Sequence, residues 1–586
     1  MDDRLLRVES AVQDLVQSIG HLERRLALME RAVAATGAAD AEISASPALP
    51  DRPGPSDLPT RPARARDDLV TMLSFIGRTF VALGGAYLLR ALTDAGVVPL
   101  PLGTALGLAY AMAWLVMSHR AGAAHGRTSA AFHGLVATMI AFPLIWESVT
   151  RFQLLTPNAA SLALALVTAL TLASAVRQQS QVLAWIAVLA GLGTSLVLVA
   201  ATRVVLPVAG FTIALGIATL WIGYSVDWVL LRWPAALVAD LMVLALAARV
   251  ASGSWPDPPA RVIALQLLLL TGHLASVAAR TLLRGRGVNL FEVLQTAAAL
   301  ALGFGGAVYV AQATGFGATA LAAMNLLFGA GCYGVAFAFL ARQQGLRTNF
   351  YFYTSLGLIL VLVSMALLLT GATVALAWTA LGVLTTWLAL RTHRVTLNSH
   401  AAVYTLAAAS ASGLLAAATA ALVGATDVPW PPVALVVLCG AAVCWTIPMS
   451  RAAGTSVVGR VPRLLITIVL VWSAGGWLIR VIAPALPGAM GRALDAGVIA
   501  TLRTSVLAVA ALALAWAGRS ERYRESAWLL YPLLAAGGVK LLVEDLPRSR
   551  PATLFIALAL YGGALIVAPR LGRTDASVAP GQSTPG

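Results

Sequence analysis

Six ionisable side chains within long apolar stretches of this sequence are candidates for chemistry inside the membrane. They are Arg78, Asp240, Arg249, Arg480, Lys540 and Glu544. A charge at the centre of a membrane helix costs about 2.5–3.5 kcal/mol on insertion scales, so each one needs water, a counter-ion or an interface. Lys540 and Glu544 are four residues apart and can pair directly on one helix.

Two kinds of chemistry suit these residues. The first is a polar cavity inside the membrane, which binds an anionic headgroup or relays protons, with Arg78, Arg480 and Lys540 as its cations. The second is a set of interhelical salt bridges that fixes the packing of the helices, for example between Asp240 and an arginine of another helix. Arg480 is expected deep in its helix, and the structural role is favoured for most of the set.

The sequence predicts no catalytic residue, metal site or cofactor. The three cysteines, Cys332, Cys439 and Cys444, lie in apolar runs without a neighbouring His or acid and are expected to be small core residues. His133 and His273 lie in apolar stretches at no metal-ligand spacing. Four further histidines are expected in loops on the inner side of the membrane: His119, His125, His393 and His400.

The composition is that of a membrane protein. The chain has 586 residues, of which 59% are hydrophobic and 11% charged, and its mean hydropathy is +0.83. A soluble chain would carry about a quarter charged residues. The net charge of +15 comes from dispersed arginines, with Lys540 as the only lysine, so it indicates loops facing anionic lipid headgroups and not nucleic acid.

Eighteen segments are apolar and long enough to be considered as membrane spans. Their approximate cores are 70–92, 98–118, 129–148, 156–176, 180–201, 204–223, 234–251, 262–282, 290–312, 317–340, 351–370, 372–390, 399–423, 431–448, 464–483, 496–517, 526–544 and 551–569. The eleventh and twelfth are expected to turn around Gly371. The fold class predicted is therefore an all-α bundle of about 18 transmembrane helices.

The distribution of arginine predicts the orientation of this bundle. With the N-terminus inside, the outside loops hold only Arg151, Arg203, Arg261, Arg492, Arg548 and Arg550, and the inside loops and C-terminal tail hold three times as many arginines. Positive charge is enriched on the cytoplasmic side. The prediction is a multi-pass protein of the bacterial cytoplasmic (inner) membrane, with both termini cytoplasmic.

The N-terminal residues 1–33 follow a heptad pattern. Apolar residues recur at alternating spacings of three and four over four heptads; they include Val12, Leu15, Ile19, Leu22 and Leu26. β-Branched residues at position a with leucine at d favour a parallel two-stranded coiled coil. The predicted partner is a second copy of the chain, and the alternative is an amphipathic helix lying on the membrane or on the protein's own loops.

Two segments lack the apolar residues that a core requires. Residues 34–68 are rich in Ala, Pro, Asp, Ser and Arg and are expected to be a disordered linker, and residues 571–586 a disordered C-terminal tail. The domain prediction is thus a coiled-coil helix at 1–33, the linker, a transmembrane helical domain at 69–570 and the tail.

Short motifs in three parts of the spanning region carry a resemblance. They are Ile76-Gly77-Arg78, Leu83-Gly84, Ala86 and Leu88-Leu89-Arg90; Thr156-Pro157, Leu166-Val167-Thr168-Ala169, Arg177, Ser180-Gln181 and Leu183-Ala184; and Lys540-Leu541-Leu542 with Asp545-Leu546. Together they resemble the bacterial membrane proteins grouped as domain of unknown function 2339. The chain departs from that family in lacking a lysine near Arg90 and a proline after Gly193. The resemblance implies a multi-pass inner-membrane protein with an N-terminal coiled coil, and no activity.

The sequence leaves two functions open, and both are non-enzymatic. The first is an oligomeric membrane scaffold or assembly factor acting through residues 1–33. The second is a transporter, or a protein that handles lipids or envelope precursors, with a polar intramembrane cavity. An embedded envelope enzyme is the least supported, because the predicted outside loops are too short to fold as a catalytic domain.

Overall fold

A computed structural model describes the chain from residue 61 to residue 571. Within that range it leaves out residues 125–126, 254–256, 316, 341–346, 425–428, 449–456 and 487–494, and the side chains of 61–76, 78, 121–124, 127–128, 251 and 458. The predicted coiled-coil residues Val12, Leu15, Ile19, Leu22 and Leu26 lie outside the described residues. Residues 34–60 and 572–586 lie outside them as well.

The described residues form helices and no strand, which confirms the all-α class for this part of the chain. With one broken helix counted once, each helix coincides with one of the eighteen segments predicted from the sequence. In chain order they are α1 Arg61–Asp94, α2 Leu100–Ala124, α3 Arg127–Thr150, α4 Pro157–Arg177, α5 Gln181–Thr202, α6 Leu206–Ser225, α7 Arg232–Ala251, α8 Pro259–Leu283, α9 Leu290–Thr314, α10 Ala318–Phe339, α11 Arg347–Leu368, α12 Ala372–Thr392, α13 Val395–Ala411 with Leu414–Val423, α14 Pro432–Thr446, α15 Val457–Ile482, α16 Ala496–Gly518, α17 Ser526–Arg548 and α18 Pro551–Leu571.

Fifteen of these helices are long and apolar enough to cross a bilayer. The exceptions are α1, whose first side chains are not described, α13 and α14. The two pieces of α13 meet at 68° and count as a sixteenth span only if taken together. With 15 residues, α14 is about 22 Å long, against a hydrocarbon thickness of about 30 Å. Many apolar helices therefore support a multi-pass membrane protein, and the count of eighteen spans stays a prediction.

One predicted boundary needs correction. The linker was expected to extend to residue 68, but α1 begins at Arg61, so residues 61–68 are helical. Pro62 does not prevent this, because a proline in the first turn of a helix lacks only an N–H that would have no intrahelical acceptor. The chain divides into two units, Met1–Gly77 and Arg78–Gly586, and the buried core and the cavity belong to the second unit.

The buried apolar core is built from helices that are neighbours in sequence. The largest cluster of buried side chains runs from Ala82 in α1 to Leu360 in α11. A second joins α11 to α15, and a third joins α16 to α18. The opposite faces expose large apolar side chains such as Leu162 and Val182, as expected for helices surrounded by lipid.

Several helices are locally irregular. Residues Ala279–Leu283 of α8, Ala299–Phe304 of α9, Val335–Phe339 of α10 and Leu541–Asp545 of α17 are π-helical. Such segments are often found at functional sites. Glycines with positive φ allow the tightest turns: Gly371 (φ 57°) joins α11 to α12 as predicted, and Gly413 (φ 74°) lies at the break in α13.

Candidate functional site

Small residues bring the first three helices together. A Cβ at Gly103 of α2 would overlap the side chain of Thr93 in α1, and one at Gly107 would lie 2.7 Å from a methyl carbon of Leu144 in α3. A larger residue at either position would force the side chain of Thr93 or Leu144 to move, and such close approach is the use expected of a Gly-x-x-x-Gly pair between membrane helices. The hydroxyl of Tyr110 in α2 also donates to the carbonyl of Ala82 at 3.1 Å.

A cavity of about 270 Å³ lies between α1, α2 and α3, near the C-terminal ends of α1 and α3. Most of its wall is apolar; the larger apolar side chains are Leu83, Leu89, Met139, Ile140, Leu144 and Phe152. Pro143 also lines it and has no N–H to donate to the carbonyl of Met139, four residues earlier. The cavity is open towards the outer face of the helices, because Tyr87 and Met139, which line it, are 65% and 47% exposed.

One end of the cavity is ionic. Arg90 Nη1 lies 2.9 Å from Glu147 Oε1, and both side chains line the cavity. Asp94 lies just beyond, with one carboxylate oxygen 3.8 Å from Arg90 Nε and the other 3.8 Å from Arg151 Nη2. These four residues, Arg90, Asp94, Glu147 and Arg151, are called the ion quartet below.

The two threonine hydroxyls in the wall are already used within their own helices. Thr93 Oγ1 donates to the carbonyl of Leu89 at 2.8 Å, and Thr104 Oγ1 donates to that of Leu100 at 3.0 Å. Polar recognition in this cavity therefore falls to the charged side chains and to the hydroxyl of Tyr87, which also lines it. An apolar wall, a lateral opening and charges at one end match a molecule with a charged head and an apolar tail.

Lys540 and Glu544 meet as predicted, within a larger buried group. Lys540 Nζ lies 3.6 Å from Glu544 Oε2 and 2.6 Å from Asp545 Oδ2. Arg503 of α16 lies 2.5 Å from Glu544 Oε1 and also donates to the carbonyls of Ala421 and Gly424, where α13 ends. Asp545 is fully buried, and its Oδ1 has no hydrogen-bond partner among the described residues. The group ties α13, α16 and α17 together.

The other predicted site residues lie apart from this group. Asp240 accepts a hydrogen bond from Gln295 Nε2 at 2.9 Å, so its partner is an amide and not the arginine that was expected. Arg249 donates to the carbonyl of Arg203 at 2.7 Å. Arg480 was expected deep in its helix, but it lies in the last turn of α15, because the helix ends two residues later. The side chain of Arg78 lies outside the described residues.

Sequence reasoning missed three acids: Glu147 and Glu292 inside helices, and Glu525 in the turn just before α17. Glu147 closes the cavity, and Glu292 and Glu525 are fully buried elsewhere. Glu292 accepts from Arg280 at 2.8 Å and from the hydroxyl of Tyr224 at 2.7 Å. Glu525 lies 3.1 Å from Arg460 and 3.2 Å from Arg463. For Glu147 and Glu292 the signal was present, since a single acid within an apolar run needs a cation from elsewhere in the fold; Glu525 lies in a charged segment that gives no such signal.

The histidines and cysteines mostly serve packing. His273 is buried, with Nε2 3.1 Å from Thr296 Oγ1. His400 was expected in a loop but is buried in α13, 3.0 Å from the hydroxyl of Tyr333, because that helix begins at Val395. Cys439 is exposed, contrary to expectation, whereas Cys332 and Cys444 are buried. Within the described part of the chain, no three His, Cys, Asp or Glu side chains are placed to hold a metal ion.

Comparison with known proteins identifies no similar protein. No family model matches the chain, and no curated protein or solved structure matches it either. The resemblance to the domain of unknown function 2339 proteins therefore stays a prediction from sequence.

Proposed function

We propose that this chain is a multi-pass membrane protein that binds an amphiphile in the cavity between α1, α2 and α3. The observation that carries the proposal is an apolar wall that ends in the ion pair of Arg90 and Glu147. Ligand sites in proteins are mostly apolar, with a few polar groups that fix orientation. The cavity therefore matches a lipid, because its apolar wall can contact an acyl chain and its charged end can contact a headgroup.

The volume also favours a ligand that is only partly enclosed. Ligand sites typically measure about 300–1,000 Å³, and this cavity is slightly smaller, at about 270 Å³. The rest of an amphiphile would lie along the exposed outer face of α1, where Tyr87 and Leu88 are 65% and 62% exposed. The proposal places the protein in the bacterial inner membrane, in eighteen spans with both termini cytoplasmic, and in the domain of unknown function 2339 family, as the sequence predicts. It includes no enzymatic step.

Filling the cavity tests the proposal. In Ala86→Phe the new ring enters the cavity, because Ala86 is one of its lining residues. In the matched control Ala91→Phe the same ring is added on an exposed position of the same helix that does not line the cavity. The full-length proteins are purified in mild detergent, and the lipid that remains bound is measured by mass spectrometry. Ala86→Phe is expected to lose a lipid that the wild type and Ala91→Phe retain.

A second candidate function is an oligomeric scaffold or assembly factor, favoured by the heptads of residues 1–33. Deleting residues 1–33 separates the two. A scaffold loses its oligomer or its protein partner on deletion, whereas the amphiphile remains bound. If Ala86→Phe retains as much lipid as Ala91→Phe, the amphiphile site is refuted and the scaffold becomes the leading function.

A further inference from the structure

The ion quartet is balanced in charge. Two guanidinium groups, of Arg90 and Arg151, face two carboxylates, of Asp94 and Glu147. Glu147 is the most buried of the four, with 14% of its side chain exposed, and Arg90 follows with 35%. In such a partly dehydrated place an added net charge is costly, because two like charges interact more strongly than they do in water.

The quartet is not saturated with hydrogen bonds. Arg90 and Glu147 are at hydrogen-bond distance, 2.9 Å. Both contacts of Asp94 are 3.8 Å long, beyond the 3.2 Å at which N–H···O bonds end. Asp94 can thus accept from a further donor, and Arg151 can donate to a further acceptor. Asp94 and Arg151 therefore offer one anionic and one cationic position at the mouth of an apolar cavity.

From this arrangement we infer that the amphiphile is a zwitterionic phospholipid whose headgroup carries a primary ammonium. The inference rests on the proposed function and names its ligand class. The ammonium N–H groups donate to the carboxylates of Asp94 and Glu147, and the phosphate accepts from Arg151 and Arg90. The acyl chain lies along the wall formed by Leu83, Met139 and Leu144.

The alternatives fit less well for physical reasons. A phospholipid of net charge −1 brings an unbalanced anion next to two carboxylates. A quaternary ammonium carries no N–H and cannot donate to them, so it loses the charge-assisted hydrogen bonds, which are about twice as strong as neutral ones. Phosphatidylethanolamine therefore has the headgroup that satisfies all four residues.

A competition experiment tests the ligand class. The full-length protein is reconstituted in vesicles of equal parts phosphatidylethanolamine, phosphatidylglycerol and phosphatidylcholine, then extracted in mild detergent and analysed by native mass spectrometry. We expect phosphatidylethanolamine to be retained about tenfold over each of the others, the ratio that corresponds to about 1.4 kcal/mol. Equal or greater retention of phosphatidylglycerol or phosphatidylcholine overturns the inference.

Three variants localise the preference. Glu147→Gln and Arg90→Gln each remove one charge of the ion pair between Arg90 and Glu147. Both are expected to abolish the preference for phosphatidylethanolamine. Asp94→Asn removes the negative charge of a side chain that is 41% exposed and replaces one acceptor oxygen by a donor, so it keeps the fold and is expected to reduce the preference severalfold. Arg261→Gln, an exposed arginine at the start of α8 that does not line the cavity, is the control and keeps the wild-type ratio. If Asp94→Asn and Glu147→Gln both keep that ratio, the inference is wrong.

The outcomes also separate the ligand class from the proposed function. If a lipid is retained and Ala86→Phe loses it, but that lipid is phosphatidylglycerol or phosphatidylcholine, the amphiphile site stands and its assigned headgroup is wrong. If no lipid is retained, or if Ala86→Phe retains it, both the site and its ligand class fail.

Discussion

At the scale of single residues, buried charges in this protein are held by partners that are distant in sequence. Tyr224 and Glu292 are 68 residues apart, and Arg503 and Glu544 are 41 apart. The pair of Lys540 and Glu544 could be predicted because both lie on one helix, four residues apart. The others could not, because the sequence shows that an acid needs a cation but not which helix will supply it.

Removing Arg503 is expected to destabilise the protein strongly. Arg503 is 4% exposed, and Arg503→Met leaves Glu544 without its closest cation and two carbonyls of α13 without a donor. Breaking a buried pair by removing one partner costs about 3–5 kcal/mol. The measurement is the free energy of unfolding in a fixed detergent micelle.

Arg524→Met is the matched control for that variant. Arg524 is 63% exposed in its contact with Glu521, and an exposed pair contributes less than about 1 kcal/mol. Equal losses in Arg503→Met and Arg524→Met would show that the buried group contributes nothing specific.

At the scale of helices, the boundaries were largely predictable, because caps and turns are local. Thr156 caps α4 by accepting from Ala159 N, Pro157 follows it, and Ser180 caps α5 in the same way. The π-helical segments and the 68° break in α13 were not predicted. An apolar run shows where a helix can form, but it does not show where neighbouring helices force it to bend or widen.

The turn at Gly371 gives a prediction about backbone conformation alone. Gly371 has φ 57°, and no atom lies within 4 Å of the position that a Cβ would take, so Gly371→Ala adds backbone strain without a clash. The expected loss of unfolding free energy is about 1–3 kcal/mol, because φ 57° with ψ −126° is a conformation that residues other than glycine rarely adopt. Gly193 also has open space but lies inside α5, so Gly193→Ala is expected to stabilise by about 0.5–1 kcal/mol. Thermal unfolding of both variants measures the difference, and the same sign of change in both would contradict the argument.

At the scale of the whole molecule, the class of fold was evident from composition, whereas the candidate site was not. Apolar length and dispersed arginine predicted an all-helical multi-pass protein, and the described residues agree. The cavity depends on α1, α2 and α3 packing around Gly103 and Gly107. Arg90 was noted in the sequence and Glu147 was not, and no pattern within either helix indicates that the two side chains meet.

The predicted orientation is tested with reporter fusions. A reporter active only outside the cytoplasm should be active when fused after Arg203, between α5 and α6, and inactive when fused after Arg286, between α8 and α9. A reporter active only inside should give the opposite result at both positions and a positive signal at both termini. Termini on opposite sides would refute both the even number of spans and the orientation.

The hydrogen bonds that Arg503 donates at the end of α13 have a consequence for biogenesis. The arginine that donates to the carbonyl of Ala421 is made 82 residues later in the chain. At about 5–20 residues per second, the ribosome needs roughly 4–16 seconds to supply it. Throughout that interval the last carbonyls of α13 need temporary donors, in the insertion machinery, in water or in lipid headgroups, and they gain their final donor only once α16 has been made.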